Sequence, residues 1–187
     1  QIVEANRIRL GFDKPIYEQY WLFLSGIFLG RTYGSGSSAF SCPAPSFGYS
    51  FNENACVTNM LVEALPITIS LAIGALLLWL TVGIGLGIVA AKFKNRWPDT
   101  GSSVFVLLAT SLPTFVTGLA LLIWVTIKWK LVPLSLSGYV SIFDNPFGFF
   151  QYFILPWITL AIAYAAIYTR FTRAALLETL GEDYIHT

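Results

Sequence analysis

The stretch 66-PITISLAIGALLLWLTVGIGLGIVAA-91 contains no ionisable residue. It exceeds the ~20 residues a helix needs to cross a hydrocarbon layer ~30 Å thick. A Lys or Asp in the middle of such a run would cost roughly 2.5–3.5 kcal/mol on insertion scales. Two further stretches obey the same rule, 101-GSSVFVLLATSLPTFVTGLALLIWVTI-127 and 145-NPFGFFQYFILPWITLAIAYAAIYT-169. Three charge-free windows predict three transmembrane helices. The fold class is therefore all-α: a polytopic helical membrane protein with an added helix and loop in the region before residue 66.

Composition points the same way. Hydrophobic residues make up 56% of the chain and charged residues 11%, roughly half the usual charged share of soluble domains. The formal net charge of +1 gives no support for a nucleic-acid partner. The lipid bilayer is the expected solvent. Gln1 is not an initiator residue, and no signal-peptide pattern opens the chain. The 187 residues are thus expected to be an internal piece of a longer protein.

Basic residues set the direction of the spans. Lys92, Lys94 and Arg96 follow the first span, and Arg170 and Arg173 follow the third. These segments share one side, which the positive-inside rule makes cytoplasmic. Five basic residues stand there against Lys128 and Lys130 opposite. Residues 1–65 are then outside, 66–187 form the membrane core, and 170–187 lie in the cytoplasm.

In the outside region, 13-DKPIYEQYWLFLSGIFLG-30 carries apolar residues at helical spacing, with Asp13 as cap and Pro15 in the first turn. Its uncharged part is too short to span. It reads as an aromatic helix lying on the outer membrane surface or packed on other parts of the protein. Residues 34–56 have loop composition and hold Cys42 and Cys56. On the oxidising side these two are expected to form a disulfide, a staple worth about 3 kcal/mol in the chain-entropy model, with a redox switch as the alternative.

Within the spans, 83-GIGLG-87 follows no strand, so it is not a nucleotide loop. Gly83 and Gly87 form a GxxxG pair that admits a close helix, either for packing or as a wall of a path. Pro113, in 110-TSLPT-114, is expected to bend the second span, with Thr110, Ser111 and Thr114 satisfying the freed backbone groups. Pro156 falls early in the third span. Pro66 reads as a first-turn proline opening the first. No catalytic residue set and no metal site can be assembled: His186 is the single histidine, and no GxxxxGK[ST] loop is present. The chain is expected to bind no cofactor itself and not to be an enzyme.

The third span runs on into 170-RFTRAALLETLGEDYIHT-187, a helix leaving the membrane with a possible break at Gly181. This segment resembles the start of the cytoplasmic coupling loop of ATP-binding-cassette importer permeases, closest to the B-type subunit of dipeptide and oligopeptide transporters, a subgroup that includes nickel importers. Glu178, Glu182, Asp183, Tyr184, Ile185 and Thr187 match that loop. The Ala-Arg-Ala-Lys-Gly part that follows it in the family would begin after Thr187. The stretches 10-LGFDKPIYEQY-20, 65-LPITISLA-72, 111-SLPTFVTGL-119 and 154-ILPWITLA-161 resemble the same family; the cysteine-bearing loop looks longer than its common form.

The resemblance implies a six-span subunit of a bacterial inner membrane, with one span before Gln1 and two after Thr187. It implies a second homologous permease subunit, two cytoplasmic ATPases holding ATP and Mg, and an external substrate-binding protein. Residues 178–187 would be the ATPase coupling loop. Peptide import is the first functional reading, and nickel or another small solute the second. An intramembrane enzyme or assembly anchor is the third, disfavoured because the spans lack polar catalytic groups.

Overall fold

The computed structural model describes residues 7, 14–33, 39–50, 52–132 and 138–182. The chain divides into two units, Gln1–Pro66 and Ile67–Thr187.

In the first unit, α1 (Ile16–Leu29) begins directly after Pro15, which takes the cap position with φ −58° and ψ 149°. Proline caps this helix from outside rather than sitting in its first turn; Asp13 lies outside the described residues. Gly30, at φ 77°, ends the helix, and its N–H bonds the Gly26 carbonyl at 2.9 Å. The cysteine-bearing segment is more ordered than loop composition predicts. Strands β1 (Arg31–Tyr33) and β2 (Phe40–Cys42) pair antiparallel, as do β3 (Tyr49–Ser50) and β4 (Ala55–Cys56). Cys42 ends β2 and Cys56 ends β4, and a disulfide joins them across 5.7 Å between Cα atoms. Phe40 stacks on Tyr49 with ring centroids 5.0 Å apart. Strands this short are stabilised by their cross-links and ring contacts, which periodicity does not reveal.

Helix α2 (Val57–Lys92) starts nine residues before the predicted span, directly after β4. Pro66 is therefore inside the helix, not at its first turn. It leaves the Val62 carbonyl without its usual donor, a defect that transmembrane helices tolerate when neighbouring groups compensate.

The predicted second span is two helices rather than one bent helix. α3 (Trp97–Ser111) and α4 (Thr114–Leu121) meet at a break, and the second piece continues as a π-helical segment, Leu122–Lys128. The two pieces are bent by 104°. The break follows from Pro113. Leu112, ahead of it, is extended at φ −97° and ψ 129°, as a residue before proline prefers. Pro113 itself caps α4, and its carbonyl receives the N–H groups of Val116 and Thr117.

Helix α5 (Pro146–Thr179) opens with Asn145, whose side chain accepts the Gly148 N–H at 3.0 Å, and with Pro146 in the first turn. It runs unbroken through Pro156. Helices α2 and α5 are long and apolar enough to cross a membrane, and α3 with residues 114–128 makes a third span if the bent pair counts as one. The core of this unit gathers Ala75, Phe149, Phe153 and Trp157, with Ile67 and Leu71 packed against it.

Candidate functional site

Contacts between α2 and α5 advance together along both helices. The Trp157 indole N–H donates to the Ser70 carbonyl at 3.0 Å. Trp79 packs on Tyr164, with ring centroids 4.8 Å apart. A Cβ built on Gly83 would stand 2.8 Å from the Tyr168 Cβ and 3.0 Å from the Ala165 carbonyl; one on Gly87 would stand 2.5 Å from the Thr172 Cβ. The two helices are parallel, and their backbones meet where the glycines lie, as close helix approach requires. Gly74 contributes equally: a Cβ there would fall 2.0 Å from the Trp157 ring.

Two parallel helices that both cross a layer need the intervening chain to return across it. The segment from α3 to the π-helix does this along α5. Asp99 meets Arg173, Gly118 faces Thr159, and Leu122 and Thr126 share a cavity wall with Gln151 and Tyr152. The order is antiparallel to α5 throughout. The broken stretch is therefore one crossing in two pieces rather than a re-entrant loop.

At the break, Thr110 donates to the Val106 carbonyl at 2.8 Å and Ser111 to the Leu107 carbonyl at 2.6 Å. These hydroxyls reach back into the end of α3. Pro156 lies in α5 beside this break, lining a cavity with Thr114, Phe115 and Gly118.

The start of α3 is pinned by Asp99. Asn95 takes a left-handed conformation, φ 60°, which turns the chain sharply between α2 and α3. Its N–H reaches the Asp99 Oδ2 at 3.0 Å. Arg173 then grips the same carboxylate with two bonds, Nε to Oδ1 at 2.6 Å and Nη2 to Oδ2 at 2.8 Å. Asp99 is 6% exposed, so this bidentate pair closes off a carboxylate that would otherwise be buried without a counter-ion. By sequence Arg173 is one of the basic residues that set the direction of the spans, and Asp99 has no assigned role. The available signal was a single acid in the first turn of a Trp-Pro helix start, amid basic residues.

Beyond Arg173, α5 continues to Thr179. Leu180 and Gly181 close it with N–H bonds to the Leu176 and Glu178 carbonyls, 2.9 and 3.0 Å. Glu178, Gly181 and Glu182 are exposed. Asp183, Tyr184, Ile185, His186 and Thr187 lie outside the described residues. Among the described residues no group of His, Cys, Asp and Glu is arranged to hold a metal ion.

This arrangement of apolar helices, ending in an exposed polar turn, is that of a polytopic membrane protein. The chain belongs to the binding-protein-dependent transport system inner membrane component family, whose model matches residues 83–187. A companion model for the N-terminal part of such membrane components matches residues 1–72. Among similar proteins, a Brucella abortus (strain 2308) protein named as a peptide transport system permease is 34% identical over 192 aligned residues, covering 100% of this chain and 54% of the relative. The glutathione transport system permease protein GsiC of Escherichia coli (strain K12) is 30% identical over 187 residues, covering 100% of this chain and 53% of that protein. The chain spans about half the length of the curated relatives it matches. With its apolar helices, the family membership makes it a multi-pass inner-membrane protein.

Proposed function

We infer that this chain forms part of the translocation pathway of an ATP-driven importer for di- and oligopeptides. It pairs with a second, homologous permease subunit. An external binding protein delivers the substrate, and two cytoplasmic ATPases, holding ATP and Mg, grip the segment from Glu178 to Thr187. Residues 92–99 and 170–187 face the cytoplasm, and residues 1–65 face outward.

The observation that carries this reading is the reach of α5. Its 34 residues extend about 50 Å, well beyond a ~30 Å hydrocarbon core. One continuous rod therefore connects the apolar crossing to the exposed Glu178 and the turn at Gly181. A push on the polar end is carried to the crossing without a hinge. The Asp99–Arg173 pair supports a shared side for the two basic segments, because it brings the start of α3 to the level at which α5 leaves the apolar region. The relatives named for peptide and glutathione transport support a peptide-like permeant, glutathione being itself a small peptide.

The test reverses charge in the polar end of the full-length chain. Glu182→Arg with Asp183→Arg should abolish ATPase association in a pull-down and abolish peptide uptake. Retention of both would refute the coupling role. Competition of uptake by peptides rather than by nickel chelates separates the peptide reading from import of a small solute.

A further inference from the structure

A cavity of about 330 Å³ opens between α3 and α5. Its polar end is lined by Arg170 and Arg173, and its apolar end by Val106 and Leu107. The two cations differ. Arg173 spends its Nε and Nη2 on Asp99. Arg170 is exposed and forms no salt bridge among the described residues. The hydroxyls of Ser102 and Ser103, which also line the cavity, donate to the Pro98 and Asp99 carbonyls of their own helix at 2.8 and 3.0 Å. The free charge in the cleft is therefore that of Arg170.

The axis of the cleft follows that of a lipid. From Ser102 to Leu107, the part of α3 that lines the cleft, is about 7.5 Å, so the cleft runs from the level of the arginines toward the apolar layer. Leu107 is 66% exposed, so the apolar end is open. A free anion would use the charged end and leave the apolar end unfilled. A phospholipid fills both, with its phosphate on the guanidinium and its first methylenes along Val106 and Leu107. Basic pockets between helices at the membrane surface recognise anionic headgroups in this way.

We propose that the α3–α5 cleft binds an anionic phospholipid, with Arg170 as the residue that selects the headgroup. The proposal rests on the membrane placement of the family and not on the identity of the permeant.

The complete transporter, purified in detergent, would be titrated with dioleoylphosphatidylglycerol or dioleoylphosphatidylcholine and read by native mass spectrometry. Phosphatidylglycerol should bind about fivefold more tightly, the worth of one basic residue at an anionic surface. Arg170→Gln should erase that difference and Arg170→Lys should keep it. Leu107→Trp, which fills the apolar end, should weaken both lipids alike while Arg170 remains. Four results would overturn the site: no headgroup preference in the unaltered transporter, as when an acidic residue of a neighbouring chain holds Arg170; a preference that survives Arg170→Gln; lipid binding unchanged by Leu107→Trp; or displacement of the lipid by inorganic phosphate, the mark of a free-anion site. Peptide uptake by the same variants reconstituted into sealed vesicles keeps failure of this site distinct from failure of the importer reading.

Discussion

Arg173 on α5 and Asp99 at the start of α3, 74 positions apart in sequence, share two parallel hydrogen bonds of 2.6 and 2.8 Å. The pair binds a helix that enters the apolar layer to one that leaves it. Asn95 adds its N–H to the same carboxylate, so the turn after α2 is tied to the same point.

Because the Asp99 carboxylate is shielded while 33% of the Arg173 side chain is exposed, removing Arg173 strands a shielded charge, which costs more than losing Asp99 and leaving Arg173 to reach water. Asp99→Asn and Arg173→Gln should each lower the amount of folded transporter in membranes several-fold. The double variant should lose less than the two single losses combined. A double-mutant cycle on thermal unfolding of the solubilised complex checks this; additive losses would show that the two residues act independently.

The glycines of α2 make a graded test. Gly83→Ala and Gly87→Ala should each destabilise by about 1–3 kcal/mol, the usual effect of overpacking, because the new methyl would lie 2.8 and 2.5 Å from Tyr168 and Thr172. Gly85→Ala meets nothing within 4 Å and should be neutral or slightly stabilising through helix propensity. Denaturation midpoints of the three variants decide. Equal effects at all three positions would remove the close-approach explanation.

Pro113→Ala restores the N–H that the break lacks. A proline inside a helix costs about 3 kcal/mol relative to alanine, so the substitution should favour one straighter helix over the 104° bend. Spin labels at Leu108 and Leu119 should report a changed separation, and transport should fall while assembly persists. An unchanged distance distribution would mean that packing on α5, not the proline, holds the bend.

Cys56→Ser opens the staple between β2 and β4. Loss of a loop restraint of this length is worth about 3 kcal/mol in the chain-entropy model. Amide exchange in residues 39–50 and 52–56 should speed up, and exchange in α5 should stay as it was. Equal protection in the variant would show that the ring stack of Phe40 on Tyr49 suffices.

The spans were legible in advance because hydrocarbon solubility is a local property. The charge-free stretches 66–91, 101–127 and 145–169 each reveal themselves without reference to any other residue. The same holds for α1, whose apolar spacing is visible within a few turns, and for the polar end at Glu178 and Glu182, which stands out against the run before it. Gly83 and Gly87 could be named as a packing pair, but not their partners Tyr168 and Thr172, which lie on another helix. Pro113 announced a bend without its size. Pro66 misled, because a proline at the edge of an apolar run looks like a helix start, whereas the helix had already begun at Val57.

What waited for the tertiary structure was every relationship across space. The parallel course of α2 and α5 and the reading of the broken segment as a single return crossing depend on which helix faces meet. So does the meeting of Asp99 with Arg173. One-dimensional periodicity records how often a face turns apolar and not what stands opposite it. Asp99 shows the difference most clearly: as a letter it is one acid in a basic loop, and in the fold it is the point to which the turn at Asn95 and the helix α5 are both tied.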